Sequence, residues 1–169
     1  MAWAGHILDS RGSTLYHYTY FAGSQALSAF RNQRLLDAVN AALQSAPASA
    51  SVGARLTALN AKYLHVVCSH RALQPHAEEQ LRQLLQYGEV APSRQPMPGA
   101  TQIELFVAPR VGTISPWSSK ASDIAHNCDL ASVVRIERAV AYQFECENLT
   151  GDNGNHKDKA TLVQHCGKA

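Results

Sequence analysis

The 169-residue sequence predicts an α+β fold, a mainly antiparallel sheet with helices on one face. Three observations point there. Alternating and helical hydrophobic periods follow one another as strand, helix, strand, helix, and then once more in the same order. A stretch holding Pro92, Pro96 and Pro98 separates the two rounds. Each round has too few strands to stand alone, so two halves that pair their sheets would bury both apolar faces. The expected organisation is a lead or edge segment at 1–12, a domain at 13–146 and a loop region at 147–169. The domain divides into halves 13–88 and 101–146 around a linker at 89–100.

Thr14 to Phe21 alternates, with Tyr16, Tyr18 and Tyr20 on one face, and reads as a strand whose hydroxyl-bearing face meets a polar boundary or another domain. Ser24 is the expected cap of a helix with its apolar stripe on Leu27, Phe30, Leu35, Leu36, Val39 and Leu43. Pro47 to Gly53 is a small-residue linker, and Leu59 to Ser69 a second strand. Ala77, Leu81, Leu84 and Leu85 mark a short helix that stops at Gly88. In the second half, Gln102 to Ala108 is a strand with Ile103, Leu105 and Val107 inward. Val133 to Glu145 is a long strand whose inward positions are Val134, Ile136, Arg138, Val140, Tyr142 and Phe144. Lys157 to His165 could begin a last helix on a thin apolar face.

Composition excludes several classes. Apolar residues make up 46% and charged residues 17%, which is globular and not disordered. A net charge of +2 without a Lys/Arg run argues against nucleic acid and against an anionic membrane. No apolar run approaches the ~20 residues that span a bilayer. Cys68, Cys128, Cys146 and Cys166 form no Cys-x-x-Cys pair, and Met1 to Ile7 lacks the basic and apolar regions of a signal peptide. The expectation is free thiols in the cytoplasm, where the Asn148-Leu149-Thr150 sequon carries no meaning.

The most specific stretch is Pro109-Arg110-Val111-Gly112-Thr113-Ile114-Ser115-Pro116-Trp117-Ser118-Ser119-Lys120, continuing to Asp129. It reads as a strand end, a tight loop and a helix with Ser115 as N-cap and Pro116 at the first position. Trp117, Ala121, Ile124, Ala125 and Cys128 form the apolar face; Ser118, Ser119, Ser122, Asp123, His126 and Asn127 lie elsewhere. The serines do not read as nucleophiles. A Ser-x-x-Lys element would need Ser where Trp117 stands, and a Gly-x-Ser-x-Gly elbow would need Gly at Thr113 and Trp117. Two readings remain: a cap with exposed hydroxyls, or a docking or anion-binding surface at a helix start flanked by Arg110 and Lys120. His126 and Cys128 point about 200° apart on a helix and do not share one metal ion. Glu78 and Glu79 read as a solvated face. Arg138, mid-strand on an apolar face, needs a carboxylate or carbonyl partner, internal or across a domain interface.

The run Arg110 to Leu130, with Arg135-Ile136-Glu137-Arg138-Ala139-Val140-Ala141-Tyr142, resembles the N-terminal domain of large-type phosphoribosylformylglycinamidine synthase, the glutamine-dependent amidotransferase of purine biosynthesis. The resemblance extends to Ala26-Leu27-Ser28-Ala29-Phe30-Arg31 and Leu35-Leu36, over roughly 14–146. The chain departs from the family pattern at Val111, Ser122, Asp129 and Ala139; at 129 and 139 the family has Gly. The resemblance implies a PurS-like duplicated domain that packs over a synthetase centre and shapes the substrate site or ammonia path. It implies positioning, not chemistry, for Arg110, Thr113, Ser115, Ser118, Ser119, Lys120, His126, Asn127 and Arg138. No catalytic residue, metal or cofactor is expected in this chain. ATP and Mg2+, with formylglycinamide ribonucleotide and glutamine, would belong to the synthetase and glutaminase domains of the full enzyme, which this sequence lacks. The alternative is a stand-alone, non-enzymatic interaction module. Base stacking on Tyr16, Tyr18 and Tyr20 is a third reading without a supporting basic pattern.

Overall fold

A computed structural model describes residues 3–8, 14–45, 54–90, 97–110 and 113–147. The expected linker at 47–53, residues 91–96 of the Pro-rich linker, Val111 with Gly112, Cys166 and the helix at Lys157 to His165 lie outside the described residues. The elements are β1 (Trp3–Leu8), β2 (Thr14–Gln25), α1 (Ala29–Ser45), β3 (Arg55–Ser69), α2 (Pro75–Leu84), β4 (Thr101–Val107), α3 (Pro116–Asn127) and β5 (Val133–Glu147). They form an α+β fold on one sheet of order β1-β2-β3-β5-β4. β1 pairs antiparallel with β2, and β2 with β3. The amide of His70 bonds the carbonyl of Ser132, while Thr57 Oγ1 reaches the carbonyl of Glu145, so β3 and β5 also run in opposite directions. The lead segment is thus an edge strand over Trp3–Leu8.

The residues cluster into two compact units, each assembled from alternating chain segments. One unit comprises Met1–Gln25, Lys62–Ala91 and Val107–Val140; the other comprises Ala26–Ala61, Pro92–Phe106 and Ala141–Ala169. In the first, Phe21 and Val67 of the sheet, Ala77, Leu81 and Leu85 of α2 and its end, and Ala125, Leu130, Val133 and Ile136 share one core. Both helices of this unit therefore cover the same sheet face. Tyr16, Tyr18, Val66 and Cys68 alternate with the core residues and line a groove elsewhere. In the second unit, Val39 and Leu43 of α1 pack on Leu56, Ile103, Phe144 and Cys146. Asn40 ties α1 to β3 by two bonds to the Leu56 backbone, at 3.0 and 2.9 Å. Cys68, Cys128 and Cys146 are free thiols.

Several expectations shift at element ends and on strand faces. Ser24 lies inside β2; the α1 cap is Ser28, whose Oγ accepts from the Arg31 amide. Phe30 is therefore in the first turn, 69% exposed, with Arg34 over its ring. β2 runs four residues beyond Phe21, through Gly23, with a register irregularity between Ala22 and Gln25. A glycine here reads as a breaker in sequence, but it marks a close approach. Val107, at the end of β4, is exposed, and on β5 the buried positions are Val133, Ile136 and Ala139 before Phe144 and Cys146, leaving Val134 exposed. A long twisted strand does not keep one parity covered along its length, which strict alternation assumes.

A Cβ on Gly23 would sit 2.5 Å from His65 Cε1 and 2.9 Å from Tyr63 Cβ. His65 is fully buried and its ring has no room to retreat. Gly23→Ala is expected to destabilise the protein by about 1–3 kcal/mol, as overpacking does. Chemical denaturation of the variant checks this, and an unchanged midpoint would contradict it.

Candidate functional site

Ser115 caps α3 as its sequence position predicts: the backbone is extended, and Oγ accepts from the Ser118 amide at 3.0 Å. Pro116 follows at the first position. The buried helix face differs from the predicted one. Ser118 is 1% exposed and Ala125 is in the core, with Ala121 packed against it, whereas Ile124 is 52% exposed. The buried positions 118 and 125, with half-buried 121 and 122, still follow helical spacing, rotated away from the most apolar set. The rotation has a polar cause. Ser122 Oγ donates to the Ser118 carbonyl at 2.8 Å and accepts from the Ile136 amide at 3.0 Å. Small hydroxyls allow α3 to lie against β5 and serve its backbone, which larger apolar side chains could not do.

Arg135 and Glu137, both on β5, hold the loop that precedes α3. Arg135 pairs with Glu137 through Nη2 and Oε1, donates from Nη2 to the Thr113 carbonyl at 2.7 Å, and points Nε at Ser118 Oγ at 3.4 Å. Ser115 Oγ donates to the other Glu137 oxygen at 3.4 Å. Thr113 closes the loop on itself, with its amide and hydroxyl both on the Arg110 carbonyl, at 3.1 and 2.6 Å. Burial pushes the Glu137 carboxyl up, but hydrogen bonds from Arg135 and Ser118 and the Arg135 charge together hold it below the usual range. Neither Arg135 nor Glu137 stands out in the sequence as a functional residue. Their signal was an opposite-charge pair two apart on one strand face, directly after the loop-helix motif.

This frame brings Arg110, Thr113, Ser115 and Ser118 together. Arg110 and Thr113 are exposed on a groove of about 330 Å³ with Tyr16, Tyr18, Cys68 and Val134 in its wall. Tyr18 and Cys68 are cross-strand partners; burial pushes both up in pKa. Ser119, Lys120 and Asn127 are exposed on α3. His126 has a structural bond, Nε2 to the Val133 carbonyl at 2.6 Å, which ties the helix end to β5. Asp129 takes φ 61 at the helix exit, where the amide of Leu130 reaches back to the Ala125 carbonyl at 3.1 Å. The left-handed turn that Gly would make freely is thus made by Asp. Among the described residues no three His, Cys, Asp or Glu side chains come together to hold a metal, and no helix is long and apolar enough to cross a membrane.

Among the described residues, Arg138 meets rings and a hydroxyl where a carboxylate or carbonyl partner was expected. Its Cζ lies 4.3 Å from the Tyr63 ring centre and 4.7 Å from that of Trp117, and Nη1 donates to Tyr87 Oη at 3.1 Å. His65 stacks on Trp117 at 5.5 Å and its Nε2 meets the same Tyr87 hydroxyl at 2.8 Å. Cation–π contact replaces a counter-charge here. Trp117, expected in the core, serves as a half-buried wall of this box. Burial first, and the Arg138 charge second, lower the His65 pKa to about 4, against a weaker backbone bond at Phe21.

Two measurements test this arrangement. Arg135→Met leaves Glu137 and the Thr113 carbonyl without their donor and is expected to cost about 1–3 kcal/mol in an unfolding titration; Arg135→Lys should recover only part. His65 is held neutral in the fold, so its contribution is complete above about pH 6.5 and is lost as pH falls toward 4. That loss is on the order of 3 kcal/mol. Stability of His65→Phe should vary less between those pH values than that of the parent, and parallel pH profiles would refute the assignment.

Residues 62–165 match the family described as formylglycinamide ribonucleotide amidotransferase N-terminal. The matched span contains the loop, α3, the Arg135–Glu137 pair and the Arg138 box, and it continues past the 146 boundary drawn from the sequence.

Proposed function

The chain belongs to that family of N-terminal domains, part of phosphoribosylformylglycinamidine synthase in purine biosynthesis, and we propose that its own role there is to position and cap, without a catalytic centre. One observation carries this reading. The hydroxyls and charges of the family motif are spent on holding shape: Ser115 caps, Ser118 and Ser122 seat α3 on β5, and Thr113 closes its loop. None of these serines has a His or Lys within hydrogen-bonding reach that would activate it as a nucleophile, among the described residues. What remains outward is a rigidly presented rim of Arg110, Ile114, Ser119, Lys120, Ile124 and Asn127. A mixed basic and apolar rim on a fixed frame suits contact with a neighbouring domain.

In this reading the partners are the synthetase and glutaminase domains of the same enzyme. ATP, Mg2+, glutamine and formylglycinamide ribonucleotide are handled there. The domain's contribution would be a wall of the substrate site or ammonia path, and the cellular setting would be the cytoplasm.

The test is made in the complete enzyme. Exchange of both Arg110 and Lys120 for Glu is expected to lower glutamine-dependent amidine formation at least tenfold, about 1.4 kcal/mol in transition-state terms, while the melting behaviour holds. The isolated chain should turn over neither glutamine nor ATP. Turnover of either by the pure chain would overturn the positioning role. Unchanged synthase activity in the double variant, with loss of some other complex, would favour a stand-alone interaction module.

A further inference from the structure

The two guanidinium groups of β5 live in opposite surroundings. Arg135 is met by a carboxylate, a carbonyl and a hydroxyl. Arg138 is met by aromatic rings and one neutral hydroxyl, and its remaining N–H groups have no partner among the described residues. Contact with Tyr63 and Trp117 eases the partial burial of a cation, but it does not cancel the charge. The Tyr87 bond then fixes the rotation of the group, and Tyr87 is itself held by fully buried His65. A guanidinium immobilised in this way presents a planar fork of donors whose spacing matches two oxygens of a carboxylate or phosphate. Because the ordering of the side chain is complete before the ligand arrives, little entropy opposes binding.

We propose that Arg138, in its box of Tyr63, Trp117 and Tyr87, is a preorganised receptor for a small oxyanion, the phosphate or carboxylate group of a ligand. The site is separate from the Arg110–Lys120 rim and depends on no step of the positioning role. It is read on the chain itself, so its failure and the failure of that role are distinguishable.

Trp117 is the reporter, because its ring lies 4.7 Å from the cation. The chain has two Trp, so Trp3→Phe leaves Trp117 as the sole source of tryptophan emission. The 169-residue chain in this background is titrated with inorganic phosphate and, separately, with acetate, at constant ionic strength kept with chloride. A saturable change in emission is expected for at least one ion. Response to phosphate alone assigns the phosphate source; response to acetate assigns the carboxylate. Arg138→Lys keeps the charge but not the fork and should weaken binding tenfold or more, with a cooperative melt retained. Arg138→Gln should abolish the response. Absence of saturation with both ions at concentrations on the order of 100 mM, far above millimolar affinity, would overturn the proposal. So would equal affinity in Arg138→Lys, a comparison that stands even where Arg138→Gln does not fold.

Discussion

The ion pair of Arg135 with Glu137 is the interaction on which the first compact unit turns. Its two members are neighbours on one strand face, so the pair itself costs little chain entropy. Its value lies in what it reaches. One guanidinium binds the loop carbonyl of Thr113 and meets the Ser118 hydroxyl, and the carboxylate takes the hydroxyl of the cap residue, Ser115. Loop, helix start and strand are thus joined through a single charged pair. As a surface ion pair it would contribute little; here the side chains are only 34% and 18% exposed, and removing either one strands the other groups.

The serines of α3 follow from that constraint. A helix pressed against β5 at this end must leave room for a guanidinium and must answer the Ile136 amide. Ser118 and Ser122 do both because they are small and carry a donor and two acceptor sites each. Apolar residues on the same turns would bury more area but orphan the strand amide. The cost of the polar choice is visible on the outside, where Ile124 is left in solvent next to exposed Lys120. That outward apolar residue is part of what makes the rim suited to a partner surface.

A second constraint acts through the aromatic box. His65 lies over Gly23, stacks on Trp117 and meets Tyr87, so a single buried ring connects β2, β3, the end of α2 and the start of α3. Its neutrality is imposed by burial and by the Arg138 charge, and that charge in turn is solvated by the same ring system. Polar groups this buried favour one arrangement, since a slip would break the bonds that His65 and Arg138 share with the Tyr87 hydroxyl.

The sequence by itself determined the order of elements from β2 to β5, the α3 cap and the family. Hydrophobic period identifies strands and helices locally, and Ser115 with Pro116 marks a helix start through backbone chemistry that needs no distant partner. Likewise the family motif is a linear string. What only the tertiary structure decided was which faces are inside and what the polar residues do. Ser118 moved in and Ile124 out because β5 needed a hydroxyl. Val133 replaced Val134 because twist changes the covered parity. Gly23 proved to be a strand residue because a histidine from β3 lies on it, and Arg138 found rings in place of a carboxylate. Each of these depends on a residue far away in the chain, and no local period or propensity carries that information.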